Sequence, residues 1–277
     1  PQPAVACTLH RETHDADLPD GRQSEVRIDF TYSDGFGREI QRKSRAEPGP
    51  VPKRDPPDGH ILTGEDGLPE WIPHDGPRWV GSGWTIYNNK GLPVRQYEPF
   101  FTDTHRFEFD VRIGVSRILF YDPLGRRVGT LHPDHTWEKT VFDPWRQETW
   151  DASDTVLVAN PAEDPDIGEF FRRLQADEYL PTWYEQRRNG DRGAHEREAA
   201  RKASVHANTP PVAHFDALGR PFLSVAYNKY KYGDSPPSEP PKEERYLTRV
   251  VYDIEGNQRK AIDAFGRVVM QYDYDLL

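Results

Sequence analysis

The sequence predicts a mainly β fold of antiparallel hairpins, and three observations carry that prediction. A short turn motif recurs along the chain, the segments flanking it alternate apolar and polar residues, and turn-forming residues are abundant. Pro (26) and Gly (21) together exceed one residue in six of the 277, which suits many short strands joined by turns and argues against a helical bundle. Hydrophobic residues reach only 35%, while aromatics make up 12%, so the core leans on rings. That aromatic content separates the chain from disordered sequences.

The recurring unit is an aromatic or aliphatic residue, then Asp or Asn, two variable residues, Gly, and usually Arg. Its first copy is Tyr32-Ser33-Asp34-Gly35-Phe36-Gly37-Arg38, with one residue intervening before the Asp. Tyr87-Asn88-Asn89-Lys90-Gly91, Tyr121-Asp122-Pro123-Leu124-Gly125-Arg126 and Phe215-Asp216-Ala217-Leu218-Gly219-Arg220 follow. Tyr252-Asp253-Ile254-Glu255-Gly256-Asn257 and Ile262-Asp263-Ala264-Phe265-Gly266-Arg267 stand close together near the end. A degenerate copy, Phe142-Asp143-Pro144-Trp145-Arg146, has Arg where Gly is expected, and Tyr274-Asp275-Leu276-Leu277 stops before its Gly.

Each copy reads as a hairpin turn. Asp or Asn can accept hydrogen bonds from backbone N–H groups two residues on, Pro123 and Pro144 preset φ, and Gly supplies a left-handed conformation. Residues 117–121 and 249–252 lead in as strands, and 127–131 and 258–262 lead out. The aromatic before each Asp is expected to stack on its counterpart in the next hairpin. Asp253 to Asp263 is 10 residues and Asp263 to Asp275 is 12, close in sum to the 21 from Asp122 to Asp143. A unit of about twenty residues with insertions fits these intervals. A thin sheet wet on both faces is the corresponding expectation for the low hydrophobicity.

Three interruptions are expected in one repeat array covering 1–277: a Pro-rich loop insertion at 46–80, a helical insertion at 163–205 and a Pro-rich loop at 228–245. Within the second, Asp164 can cap a helix with Pro165 at its first position. Ile167, Phe170, Phe171 and Leu174 then follow the spacing of one helical face, and a second helix is expected from Ala194 to about Val205.

The formal charge, 36 Lys and Arg against 46 Asp and Glu, is −10, which excludes the basic footprint of nucleic-acid binding. The single Cys7 excludes an intrachain disulfide. No apolar run approaches the ~18 residues of a membrane span, and no charged and apolar leader opens the chain. Beginning at Pro1 rather than Met, the sequence reads as a piece of something longer or a processed product.

Candidate chemistry is sparse. His10-Arg11-Glu12-Thr13-His14 has its Glu one place late for a zincin motif, and Asp15, Asp17, Asp20 and Gly21 depart from a calcium loop at several positions. His132-Pro133-Asp134-His135 offers a His/Asp pair without a nucleophile, and Gly81-Ser82-Gly83-Trp84 is too short for a phosphate loop. Asp103, Glu108 and Asp110 cannot be paired as acid and base without geometry. The dense stretch Trp71, Trp79, Trp84, Tyr87, Tyr97, Phe100, Phe101, Phe107 and Phe109 suits packing between sheet layers, or less often a sugar-stacking surface. No catalytic residue, metal or cofactor is expected. The residues singled out are structural turn positions: Asp34, Gly37, Asn88, Gly91, Tyr121, Asp122, Gly125, Asp143, Asp216, Gly219, Asp253, Gly256, Asp263 and Gly266.

These motifs, above all Tyr121 to Arg126, Phe215 to Arg220 and the Tyr252 to Asp275 series, resemble the YD or RHS repeats of bacterial polymorphic toxins. Tyr32 to Arg38, Tyr87 to Pro99 and Trp150-Asp151-Ala152-Ser153-Asp154-Thr155-Val156 resemble the middle region of the B component of insecticidal Tc toxin complexes and SpvB-like proteins. The likeness covers residues 25 to 277. It implies a spiral shell of β-hairpins that encloses a toxic C-terminal region until delivery. It further implies a non-enzymatic, secreted component whose partners are neighbouring RHS repeats, or a partner C component, and the enclosed toxin. The family's self-cleaving aspartyl site has no counterpart: Asp122-Pro123-Leu124-Gly125 resembles its motif but lies within a repeat. A glycan- or cell-surface-binding module is the competing reading.

Overall fold

The computed structural model describes residues 3–55, 59–64, 68–236 and 238–275. Pro1, Leu276 and Leu277, named above, lie outside the described residues, as do parts of the two Pro-rich spans, 56–58, 65–67 and 237. The chain divides into two compact units, residues 1–118 and 119–277.

The first unit is a mainly antiparallel arrangement of β1 (Ala4–Arg11), β2 (Val26–Ser33), β3 (Glu39–Ala46), β4 (Val51–Pro52), β5 (Trp71–Ile72), β6 (Arg78–Gly81), β7 (Thr85–Tyr87), β8 (Pro93–Gln96) and β9 (Phe100–Thr102). Five of these form a sheet in the order β1-β2-β3-β6-β9, β4 pairs with β5, and β7 with β8 make a hairpin. Arg117 and Ile118, opening β10 (Arg117–Tyr121), pair with Gln96 and Arg95 of β8. The span 46–80 is therefore not simply a loop. It carries β4, β5 and the start of β6, with bridges Arg54 to Ile61 and Thr63 to Pro69 between them.

Aromatics build this unit's core, and the 103–112 segment packs over the sheet. Trp79 (8% exposed) meets the edge of Phe30, which in turn stacks on His105 at 4.8 Å. The Tyr32 hydroxyl donates to the His105 carbonyl at 2.6 Å. The Gln41 amide donates to the Glu108 carbonyl and accepts from the Glu108 N–H, so one side chain satisfies both backbone groups. Beside it Lys43, fully buried on β3, is ion-paired with Glu108, and Arg54 holds the other carboxylate oxygen.

The second unit continues from β10 through β11 (Arg127–Leu131), β12 (Trp137–Phe142), β13 (Arg146–Trp150), β14 (Val212–Phe215), β15 (Pro221–Tyr230), β16 (Lys242–Tyr252), β17 (Gln258–Ile262) and β18 (Val268–Gln271). These strands lie side by side in chain order, an antiparallel meander. The loop placed at 228–245 is shorter than expected. β15 runs to Tyr230 and β16 starts at Lys242, because cross-strand partners such as Tyr227 and Arg245 keep the long hairpin paired.

The excursion between β13 and β14 contains α1 (Gly168–Phe171) and α2 (Ala194–Val205) with short 3-10 turns. The helix expected from Asp164 is only these four residues. Asp164 does cap the turn, accepting from the N–H groups of Asp166 and Ile167 at 3.0 Å. The apolar spacing nonetheless identified buried residues: Ile167 and Phe171 are sealed against the sheet. Phe171 meets Phe120, Trp137 and Tyr179 edge-on at 5.1–5.4 Å. Gly129 makes this seating possible, since a Cβ there would stand 2.8 Å from Ile167 and 3.0 Å from Phe120. Lys139 reaches out of β12 to Asp164 and Asp166, both at 2.7 Å. Both ends of the excursion close on Asp154, whose buried carboxylate accepts from the N–H groups of Asp151 and Thr209 and from the Thr209 hydroxyl. The expected sheet wet on both faces is thus overturned along β10–β12, where the insertion supplies a core. No helix among the described residues is long and apolar enough to cross a membrane.

Candidate functional site: a ladder of aspartate turns

Six copies of the motif adopt one geometry. In each, the Asp or Asn oxygen Oδ1 accepts from the N–H groups two and four residues on, at 2.8–3.1 Å. The N–H of Gly donates to the Asp carbonyl, and the Asp N–H donates to the carbonyl four residues on. The Gly φ values lie between 74° and 94°. This is the three-residue hairpin loop in which a type I turn is followed by a left-handed residue. Register shifts beside the loops at Asp34, Asn88, Asp216, Asp253 and Asp263 mark the accompanying bulge.

Arg at the sixth place of the unit completes the turn, its Nε donating to Asp Oδ2 at 2.7–2.8 Å at Asp34, Asp122, Asp216 and Asp263. At Asp216 and Asp263 that side-chain bond is the main cause holding the carboxyl below the ordinary carboxylate range. At Asp34, Asp122 and Asp253 desolvation pushes upward, but hydrogen bonds to the turn backbone and to Arg38, Arg126 or Asn257 outweigh it. A depressed folded-state value means these bonds contribute above the unfolded carboxylate range and are lost as pH falls through the lowered value.

The degenerate copy at Asp143 closes differently. Its N–H donates to Arg146 at 2.9 Å, giving a loop one residue shorter that needs no Gly. The candidate His132/Asp134 pair belongs to a further turn whose residues depart from the motif. His132 occupies the Asp place, exchanging backbone bonds with Thr136 and His135, and His135 takes the left-handed place at φ 65°. His and Asn tolerate that region better than other residues with side chains. With His132 included, Asp122, His132 and Asp143 follow at 10 and 11 residues, matching the 10 from Asp253 to Asp263. Because the strands alternate direction, Asp122, Asp143, Asp216 and Asp253 share one end of the second unit's sheet, and His132 and Asp263 the other.

Tyr32, Tyr87, Phe142, Phe215, Tyr252 and Tyr274, aromatics of the repeated unit, do not stack ring on ring with one another. Instead three Arg lie over the ring of a neighbouring Asp or Asn copy: Arg38 over Tyr87, Arg126 over Phe142, past the His132 turn, and Arg220 over Tyr252, at 4.6–4.8 Å. The same tyrosines reach back, Tyr87 to the Glu39 carbonyl and Tyr252 to the Pro221 carbonyl, each the residue after that Arg. Tyr274 repeats the bond to Gln258. Tyr121, at the end of β10, is half-buried. The unit thus links neighbouring copies through an Asp–Arg–aromatic relay.

Gly219 tests the turn assignment cleanly, since a Cβ there meets no atom within 4 Å and only its φ of 74° opposes a side chain. Gly219→Val is expected to lose about 1–2 kcal/mol and Gly219→Asn clearly less. Equal melting temperatures for the two variants would contradict the assignment.

The remaining candidates disperse. His10 lies on the exposed β1, and His14 accepts from the Ala16 N–H. Glu108 is held by Lys43 and Arg54, Asp103 by the same Arg54 and Asp110 by Arg112, so each carboxylate is already ion-paired. Ser82 accepts from the Arg42 N–H across the sheet. Among the described residues no three His, Cys, Asp or Glu are grouped to hold a metal.

No protein-family model and no curated protein matches the chain. Solved structures do. The crystal structure of TcdB2-TccC3 is similar at 22% identity and a TM-score of 0.59, and a Photorhabdus luminescens Tc holotoxin pore at 22% and 0.60. TcdB2-TccC3-Cdc42 is similar at 24% and 0.59. Each match covers 94% of this chain and 10% of the other, so the chain spans about a tenth of the length of those it matches. The fold is a mainly β hairpin array of the kind those chains contain. The particular proteins it is similar to are Tc toxin complex chains, in agreement with the resemblance in the sequence.

Proposed function

We propose that this chain is a stretch of an RHS-type hairpin shell that contains a toxin polypeptide and helps deliver it. The observation that carries this reading is the relay of Asp turns, which joins one copy to another at Arg38–Tyr87, Arg126–Phe142 and Arg220–Tyr252. The likeness to TcdB2-TccC3 supports it. In this role the chain performs no catalysis and takes no cofactor. Its partners are the adjoining repeats, or a partner C component, and the enclosed chain, and it is secreted within the larger toxin. A longer chain carrying the neighbouring repeats is expected to appear as a hollow particle by electron microscopy. A solid globule or a straight rod would overturn the proposal. Trp79 is buried among Phe30 and His105 and so is withdrawn from any sugar-stacking surface, while Trp71 and Phe109 of the same stretch stay exposed.

A further inference from the structure

The second unit's sheet has two unlike faces. Cross-strand partners share a face, so rows of side chains can be followed from strand to strand. One row runs Phe142, Gln147, Ala213, Ser224 and Thr248 across β12–β16. The rows beside it hold Thr140 with Thr149, Ala226 with Tyr246, and Val250 with Ala261. These side chains are hydroxyls, an amide, small apolar groups and single rings, and none is charged at neutral pH. Within β12–β16 this face regains charge only at one end of the sheet, at Glu138 on β12 and at Lys242 and Glu244 on β16.

Successive residues of a strand point to opposite sides, so the same strands turn Lys139, Arg146, Glu148, Arg245 and Arg249 to the other face. That face also carries the excursion, through Trp137 against Phe171 and Lys139 against Asp164 and Asp166. The neutral face is not a core. Thr149, Ser224, Ala226 and Thr248 are exposed, and Gln147 and Ala213 are half-buried.

Mixed charge keeps a surface soluble in bulk water, and over β12–β16 one side holds most of it. Exposed side chains that are neither charged nor broadly apolar make no ion pairs and offer no adhesive patch. Such a wall accepts a polypeptide segment of either sign and lets it leave. The excursion would take up space in front of whichever face it covers, and it stands on the charged side.

We infer, resting on the containment reading, that the neutral face of β12–β16 lines the lumen against an unfolded enclosed polypeptide. The charged face, with its excursion, looks outward.

Four single replacements test this in the longer chain that carries the neighbouring repeats, each made together with Cys7→Ser: Ser224→Cys and Thr248→Cys on the neutral face, Arg245→Cys and Arg249→Cys on the charged one. A maleimide carrying a long polyethylene glycol chain probes each thiol, read as loss of the unmodified cysteine peptide by mass spectrometry. In the 277-residue chain alone, where neither face is enclosed, all four positions are exposed and should label. In the longer chain Arg245→Cys and Arg249→Cys are expected to keep full labelling, and Ser224→Cys and Thr248→Cys to lose it. Two sites on each face keep the test decisive if one variant fails to fold by circular dichroism. The reverse pattern, or protection of all four, would overturn the inference and leave containment standing. Labelling of all four in the longer chain would remove the enclosure itself, and the inference with it.

Discussion

Replacing Glu108 by Ala is expected to destabilise the first unit by about 3–5 kcal/mol, the cost of stranding a buried charge. Lys43 lies on β3 with none of its side chain exposed, and burial lowers its pKa while Glu108 opposes that shift. Phe100, 4.6 Å from the ammonium, offers a ring face and no hydrogen-bond acceptor. Removing the carboxylate leaves the ammonium without its ion-pair partner and also frees Arg54, whose Nη2 keeps only the Thr102 hydroxyl. The double replacement Lys43→Met with Glu108→Leu removes both charges and should recover most of the loss, since an apolar pair of similar volume often equals a buried ion pair. Urea denaturation of the three chains measures this. A single Glu108→Ala that unfolds at the parent's midpoint would show that the ion pair is not buried as described.

The sequence reveals the turns and conceals this ion pair for the same physical reason. Asp122, Leu124, Gly125 and Arg126 satisfy one another within five residues, so their chemistry is written locally. Lys43 and Glu108 stand 65 residues apart and meet only because the 103–112 segment folds over β3. The His132 turn lies outside the motif because His132 uses only backbone groups where the other copies use a carboxylate or, at Asn88, an amide oxygen, and His135 substitutes for Gly. The aromatics before Asp were correctly placed at strand ends, but their partner is the preceding copy's Arg. A ring–ring pattern cannot reveal that from one strand's composition. The helical spacing marks real burial at Ile167 and Phe171, while Phe170 is half-buried and the helix itself is only four residues long.

Phe171→Ala is the change expected to release the insertion from the sheet. The side chain is 0% exposed and meets Phe120, Trp137 and Tyr179, so truncation removes both transfer energy and packing, about 3–5 kcal/mol for a buried Phe. The loss should concentrate on the excursion between β13 and β14, because the sheet's backbone pairing survives. Asp154 and Lys139 still hold the excursion at its base and flank, so the expected outcome is loosening rather than complete detachment. Limited proteolysis should then cut within 152–209 well before it cuts the strands, while Phe171→Leu, nearer in volume, stays largely protected. Phe265→Ala is the control: that ring is 78% exposed at a turn tip and should change stability by no more than about 0.5 kcal/mol. Cleavage spread evenly through β10–β18 would instead mean that the excursion and the sheet unfold as one cooperative unit, with Phe171 helping to hold the strands as well as the helix.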